Sequence, residues 1–376
     1  MMVPGGWLID RFGKGRVLPI AVAIWTVVSM STGTLGSLGA IFAARILLGL
    51  GEAPVYPCGN LIIREWAPLR ERGVFTSLMQ AGTLFGPAAA IAPAAYVVNH
   101  YGWRLSFLVL SASGLVWLAV WLLLYRTPEK ARWISSAERQ YIFANRAAEA
   151  SSSRPAGAAT MSIPLLLRQR PLIGILIANG TQTYAIYFLV TWLPSYLMSS
   201  ERKFDLMHSG MLASAMFLAA MIGSIVLGKL SDRFMSLSAE RARCGARRHA
   251  IAVVMLLALA GLGITPRITN QWALVGAIAM TLSMLTASVV LTFALTNDLI
   301  TDEHSAGRTF GLVSFGGQIM GLLAPIVTGW IVGLSGYTPV FFVTAVLVLL
   351  GALAAWSLPV APLQLPVPGK TRAAII

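Results

Sequence analysis

The sequence predicts an all-α protein that crosses a membrane many times, and three observations carry that prediction. Hydrophobic residues make up 57% of the chain and charged residues only 11%, against the roughly 25% charged of an ordinary soluble domain. Apolar runs of membrane-spanning length recur from end to end. The basic residues between those runs fall almost entirely on one side.

The runs come first. VLPIAVAIWTVVSMSTGTLG (17–36), LSFLVLSASGLVWLAVWLLLY (105–125) and HAIAVVMLLALAGLGI (249–264) each approach the length a helix needs to cross about 30 Å of hydrocarbon at 1.5 Å per residue. Complete spans are expected at 17–36, 38–63, 74–98, 103–125, 171–199, 209–230, 249–265, 272–297, 309–333 and 337–358. That makes ten crossings behind a short apolar stub.

The charges give the orientation. The stretches 10–16, 64–72, 126–170, 229–249 and 298–308 and the tail after Pro359 hold 23 Lys and Arg residues, whereas the intervening loops hold Arg104, Arg202, Lys203 and Arg267. This is the positive-inside pattern, so the first set and the C-terminus are expected in the cytoplasm. The formal net charge of +14 therefore reports topology, not nucleic-acid binding. The chain's expected surroundings are the lipid bilayer of a bacterial inner membrane.

Other chemistries find no support. Cys58 and Cys244 lie in different halves, and His100, His208, His249 and His304 are scattered near loops, so neither metal spacing nor a disulfide framework is present. No nucleophile–base arrangement or phosphate loop occurs, and neither enzyme activity nor a cofactor is expected.

An internal repeat organises the spans. GWLIDR (6–11) and GKLSDR (228–233) share Gly-x-x-x-Asp-Arg where an apolar span enters a basic loop. Between the halves, 126–170 is too polar to span, and its Ser135 and Glu138 form a capping-box pattern that starts a surface helix. The division expected is an N-terminal bundle at 1–125, a cytoplasmic linker at 126–170, a six-helix bundle at 171–358 and a cytoplasmic tail at 359–376. About 60 residues precede Asp232 in its half but only nine precede Asp10. MMVPGGWLI thus reads as the remnant of a second helix in an incomplete first bundle, and a chain lacking helix one is expected to transport poorly by itself.

These residues resemble the major facilitator superfamily. GWLIDRFGKGR matches its loop signature at Gly6, Asp10, Arg11, Gly13 and Arg16, departing at Gly15, with a second copy at Gly228, Asp232 and Arg233. The resemblance implies a major facilitator fold of two pseudo-symmetric helix bundles, here with ten complete helices plus the remnant of helix two, and a cytoplasmic gate built on both motifs. The bland reading of those residues is loop charge that only sets topology. Within the superfamily, ARILLGLGEAPVYP (44–57), GWRLSF (102–107), TPEKARWISSAER (127–139) and FGLVSFGGQIMGLLAPIVTGWIV (310–332) are similar to the anion:cation symporter family. That likeness implies a monomeric secondary transporter that moves a small organic anion together with protons by alternating access. It also implies a substrate arginine in a helix one that this chain does not contain.

The charged pair in span 38–63 is the leading site. Of 14 acidic residues only Glu52 falls near the middle of a span, where an ionised group costs about 2.5–3.5 kcal/mol on insertion scales and so faces a cavity or a partner. A carboxyl kept from water takes up a proton more readily. Arg45 is seven residues earlier, about 700° of rotation and 10 Å of rise, which puts both on one face without contact. Glu52 is the expected proton-coupling acid, in agreement with the family's glutamate there, and Arg45 the source of positive potential for an anion. A fixed helix-packing ion pair is the competing account. Pro54 and Pro57 remove backbone donors just beyond Glu52 and should kink the helix.

Polar residues elsewhere are expected to line a substrate cavity: Gln80, Ser314, Gln318, and a face formed by Asn179, Gln182, Tyr184 and Tyr187 in NGTQTYAIY. Amides in membrane helices also serve as packing bonds worth about 0.6 kcal/mol, which is the plainer reading of each. Glycines 307, 311, 316, 317 and 321 are expected to permit close helix packing. Two other functional classes stay open: an exporter of hydrophobic drugs, which Arg45 and the amides suit less well than an anion carrier, and an inactive transporter fragment.

Overall fold

A computed structural model describes residues 8–9, 11–67, 72–152, 163–199, 202–236, 243–299 and 303–359. Among these residues the secondary structure is helical without a strand, and ten helical stretches are long and apolar enough to cross a membrane. They fall into two compact units, Met1–Pro155 and Ala156–Ile376. The stub at 1–7 and the tail beyond residue 359 lie outside the described residues.

Unit 1 contains α1 (Lys14–Thr32), α2 (Leu38–Glu52), α3 (Val55–Trp66), α4 (Arg72–Tyr101), α5 (Trp103–Leu124) and α6 (Ser136–Ser152). Turns between them use residues suited to the backbone they need. Gly13 precedes α1 at φ +79°, and Gly102 joins α4 to α5 at φ +84°, a region that side chains disfavour. Ser37 caps α2 by accepting the Ala40 N–H at 3.2 Å, and Ser135 caps α6 by accepting that of Glu138 at 3.1 Å. Helix α1 packs between α2 and α5. Gly114 of α5 lies so close to Thr26 of α1 that a Cβ would collide with its hydroxyl.

Unit 2 is built around α8 (Arg170–Met198), which follows the short α7 (Ile163–Leu167) and packs on three of the later helices. Those helices are α9 (Leu206–Ser236), α10 (Arg243–Ile264), α11 (Gln271–Leu299), α12 (Glu303–Ser335) and α13 (Thr338–Ser357); α8 contacts α11, α12 and α13 most extensively. Membrane helices gain little from hiding apolar surface from lipid, so close approach of small residues holds them together. A Cβ on Gly223 would strike Ser283, one on Gly261 would strike Thr281, and one on Gly351 would strike Thr181. The α12 glycines divide: Gly316, Gly317 and Gly321 meet α8, whereas Gly311 has open space around it and takes no part in close packing. Gly307 lies outside the residues whose side chains are described.

The units differ in how far their spans are buried. The span of α8 is 61% buried, whereas the Ala81–Tyr101 and Trp103–Leu124 spans of unit 1 are 11% and 0% buried. Among the described residues, unit 1 has no helix placed as α8 is in unit 2.

The repeat nevertheless shows in the ion pairs. Lys14 Nζ meets Glu65 Oε2 at 3.1 Å in unit 1, and Arg247 Nη1 meets Asp298 Oδ2 at 2.6 Å in unit 2. Both pairs are 51 residues apart in sequence and join the start of one helix to the end of another. The Tyr125 hydroxyl also donates to Glu65 at 3.1 Å, and Arg247 donates to the Ala294 carbonyl at 3.0 Å.

Two substitutions check this packing. Gly351→Val should force a branched side chain into Thr181 and Met255 and cost about 1–3 kcal/mol, as overpacking does, lowering the melting temperature in detergent. Glu65→Gln should cost roughly 1 kcal/mol, and the double swap Lys14→Glu with Glu65→Lys should recover most of that loss. A swap no more stable than the additive sum of its parts would show that the pair contributes nothing through charge.

Candidate functional site

The span at 38–63 is interrupted beside the expected prolines, although Ala53 and Pro54 both keep helical backbone angles. It is two helices joined by a turn at Ala53–Pro54. Pro54 has no N–H to donate to Leu50, and its ring would press on that carbonyl. The Ala53 N–H still reaches the Gly49 carbonyl at 3.2 Å, and Cys58 restarts the ladder by donating to the Pro54 carbonyl at 2.9 Å. Glu52 is consequently the last residue of α2, immediately before the break.

The packing of α2 fixes which way the charged pair points. Gly51 sits against Ala21 and Trp25 of α1, and Gly51 and Ala44 are the buried residues of this helix. Arg45 and Glu52 each follow a buried residue by about 100° of rotation, and both are exposed on unit 1. Within unit 1 neither side chain is enclosed. No ion pair joins them. The Arg45 guanidinium lies instead over the Phe107 ring of α5, 5.2 Å from its centroid, a cation–π contact.

The four α8 residues expected to share a face point in different directions. Gln182 and Tyr184 are two residues apart, about 200° around the helix, so two i,i+3 pairs in this register cannot coincide. Asn179 is buried, its amide oxygen pressed on Gly317 of α12. Gln182 is fully buried; its Nε2 donates to Thr292 Oγ1 of α11 at 3.1 Å and to Met255 Sδ of α10 at 3.2 Å, and Thr292 passes the chain on by donating to the Ser288 carbonyl at 2.8 Å. These amides bond helix to helix. Tyr184 is buried, but Tyr187 is exposed, and its hydroxyl donates to Gln318 Oε1 of α12 at 3.2 Å. Ser314, one turn before Gln318 on α12, is half-buried.

The remaining expectations are located as follows. The side chain of Gln80, on α4, lies outside the described residues, as do Gly6, Asp10 and the side chains of Gly228, Asp232 and Arg233 on α9. Arg11 is exposed, with its guanidinium 5.5 Å from the centroid of the Phe12 ring, Arg16 is exposed on α1, and Gly13 supplies the positive φ that starts α1. Pro57 falls in the first turn of α3. Among the described residues no group of three His, Cys, Asp or Glu side chains could hold a metal.

Sequence reasoning missed an open aromatic depression of about 250 Å³ on unit 1 that none of these residues lines. Trp66 stacks on Trp133 at 5.0 Å and Trp121 on Tyr125 at 4.0 Å, with Trp117 completing the wall. The i,i+4 spacing of Trp117, Trp121 and Tyr125 on one helix was the available signal. The Lys14–Glu65 pair was also missed; its signal was the recurrence of opposite charges at one spacing in both repeats.

The model of the Major Facilitator Superfamily matches residues 1–242 and 235–375. The chain is 29% identical to the "Probable galactarate/D-glucarate transporter GudP" of Escherichia coli (strain K12), the match covering 89% of this chain and 76% of that one. It is 28% identical to the "Probable sulfoacetate transporter SauU" of Cupriavidus necator, over 94% and 80% of the two chains, and 25% identical to the "D-galactonate transporter" of an Escherichia coli O6:H1 strain, over 93% and 81%. Among solved structures, an inward-facing bacterial homolog of the human lysosomal transporter Spinster superposes with a TM-score of 0.68 at 15% identity, over 95% of this chain and 84% of that one. A D-xylose-proton symporter gives 0.66 at 14% identity, over 96% and 84%. Those identities speak to the fold alone. Ten spans in two repeat-related units, the loop signature and a family match running through both halves have one common explanation: this chain belongs to the Major Facilitator Superfamily.

Proposed function

We propose that this protein is a monomeric, proton-coupled symporter of a small organic anion in a bacterial inner membrane, with its C-terminus in the cytoplasm. In this reading it works by alternating access, the two gate motifs closing its cytoplasmic side. The names of its relatives support the substrate class, since galactarate, glucarate, sulfoacetate and galactonate are all small acids. One observation carries the mechanism. Arg45 and Glu52 are the charged side chains set into the interior of a span, both are exposed on unit 1, and they are not tied to each other.

The coupling follows from charge. With Glu52 ionised, its negative charge opposes an anion drawn to Arg45. A proton on Glu52 removes that opposition and leaves the Arg45 charge to be compensated by the substrate. Anion and proton therefore load together, and the loaded site carries less net charge through the low-dielectric interior than a site holding the anion alone. The break after Glu52 places the carboxyl at a helix end that can move without unwinding a continuous helix. Arg45 favours an anion carrier over an exporter of cationic drugs.

In proteoliposomes with an imposed pH gradient, Glu52→Gln should abolish accumulation of a labelled sugar acid while leaving exchange of substrate across the bilayer near the wild-type rate. Arg45→Ala should weaken uptake at every pH, and Arg45→Lys should restore part of it. Undiminished gradient-driven accumulation by the Glu52→Gln protein would sink the coupling role.

A further inference from the structure

The end of α5 carries a feature outside the proposed transport site. Three separate segments bring five aromatic rings together there: Trp66 from the end of α3, Trp117, Trp121 and Tyr125 along α5, and Trp133 from the loop before α6. Four of the chain's 11 tryptophans are among them, so the grouping is not the even girdle that Trp and Tyr form at membrane surfaces. The open depression that these rings wall is predominantly apolar, with Val120 and Leu124 completing it, and among its lining residues Arg126 alone is charged.

The wall is held in place from several sides. Trp117 stacks on Trp121 at 5.1 Å and Trp121 on Tyr125 at 4.0 Å, the three rings following one face of α5 at i,i+4 spacing. The Tyr125 hydroxyl is tied to Glu65, whose charge Lys14 balances. A Cβ on Gly15 would come within 3.1 Å of the Tyr125 ring, which gives a packing reason for glycine where the loop signature departs from its family. Arg139 Nη2 donates to the Ala131 carbonyl at 2.5 Å, holding the loop that stacks Trp133 on Trp66. Trp133 is nonetheless 67% exposed, a large ring that the chain itself leaves uncovered.

Position and charge select the occupant. Trp117, Val120, Trp121 and Leu124 lie at the end of a span that is 0% buried in protein, beside the exposed Val116, Leu122 and Leu123, so acyl chains are the molecules at hand in a bilayer. Immediately beyond, RTPEKARW (126–133) sets Arg126, Lys130 and Arg132 against Glu129, all four exposed. Arg126 Nη1 donates to the carbonyls of Leu122 and Tyr125, which fixes the guanidinium at the helix end and leaves Nε and Nη2 for another acceptor. Cations gathered where a span meets the membrane surface attract anionic headgroups. We infer that this depression binds an anionic phospholipid, an acyl chain lying against the indole wall and the phosphate held by Arg126 with Lys130 and Arg132. The site lies wholly within unit 1. Its occupant is a lipid and not a soluble phosphate, because the wall is apolar and continues an exposed apolar helix face.

Native mass spectrometry of the full chain in detergent, with phosphatidylglycerol or phosphatidylcholine of the same acyl chains added, reads lipid binding directly and independently of transport. The wild-type protein should bind phosphatidylglycerol at least about 5-fold more tightly than phosphatidylcholine, and Arg126→Gln should weaken phosphatidylglycerol by about 5-fold while leaving phosphatidylcholine unchanged. Should Arg126→Gln fail to fold for want of its bonds to the end of α5, the double variant Lys130→Gln with Arg132→Gln carries the same expectation. Trp133→Ser should weaken both lipids, since the chain wall is common to them. Glycerol phosphate, which has the charge without the chains, should not compete. Equal binding of the two lipids by the wild-type protein, unchanged phosphatidylglycerol binding in the charge variants, or unchanged binding of both lipids by Trp133→Ser overturns the site. Displacement of the lipid by glycerol phosphate also overturns it, marking a free-anion site in its place.

Discussion

The constraint on which the rest of this structure depends is the cost of holding charge inside a bilayer. It sorts nearly all the ionisable residues to the ends of helices, where water and lipid headgroups can reach them. There the ions serve structure. Lys14 with Glu65 and Arg247 with Asp298 tie the start of one helix to the end of another in each unit, and Arg202 clasps one end of unit 2 by donating to the carbonyls of Thr265, Pro266 and Ile268 and to the Tyr196 hydroxyl. Against that background two charges left within a span require a use. The same cost that makes Arg45 and Glu52 unfavourable as structure suits them to the proposed site, since a low dielectric strengthens their influence on any ion nearby.

A second consequence concerns how the helices hold together. With lipid as the surrounding solvent, apolar surface alone does not select a neighbour, and the specificity passes to small residues and short polar side chains. Unit 2 shows the pattern at Gly351 with Thr181, Gly261 with Thr281, and Gly223 with Ser283, each a glycine facing a hydroxyl on another helix. Many of those hydroxyls donate back to their own helix, as Thr281 does to the Ala277 carbonyl at 2.7 Å and Ser283 to that of Ala279 at 2.7 Å. The Thr281 hydroxyl is thereby satisfied before the helices meet, whereas Ser283 also reaches across to the Ala220 carbonyl of α9 at 3.3 Å. Unit 1 repeats the device once at Gly114 with Thr26 and leaves far more of its spans uncovered.

Much of this was legible in the sequence because membrane spanning is written in composition and length. The positions of the ten spans, the Ser135 cap and the interruption after Glu52 follow from runs, turn residues and prolines that act over a few positions. What was illegible depends on neighbours distant in sequence. Asn179 and Tyr187 sit on one helix in a similar polar setting, yet one is pressed against a glycine and the other reaches an amide, and the difference lies in where α12 runs. Gly311 looks like its neighbours Gly316 and Gly317 but meets nothing. The two i,i+3 pairs of α8 illustrate a different failure: spacing within each pair was read correctly, and the angle between the pairs was not.

The break in span 38–63 leaves polar backbone beside Glu52. In a continuous helix the carbonyls of Leu50 and Ala53 would accept from the residues four positions on, but those residues are Pro54 and Pro57 and carry no N–H. Two carbonyls without helical donors thus bracket Glu52, one on either side in sequence. Exposed backbone acceptors are tolerated at membrane depth only where they face water, protein or a bound group. Polar backbone beside Glu52 suits the proposed coupling role, and a fixed helix-packing ion pair would have no need of it.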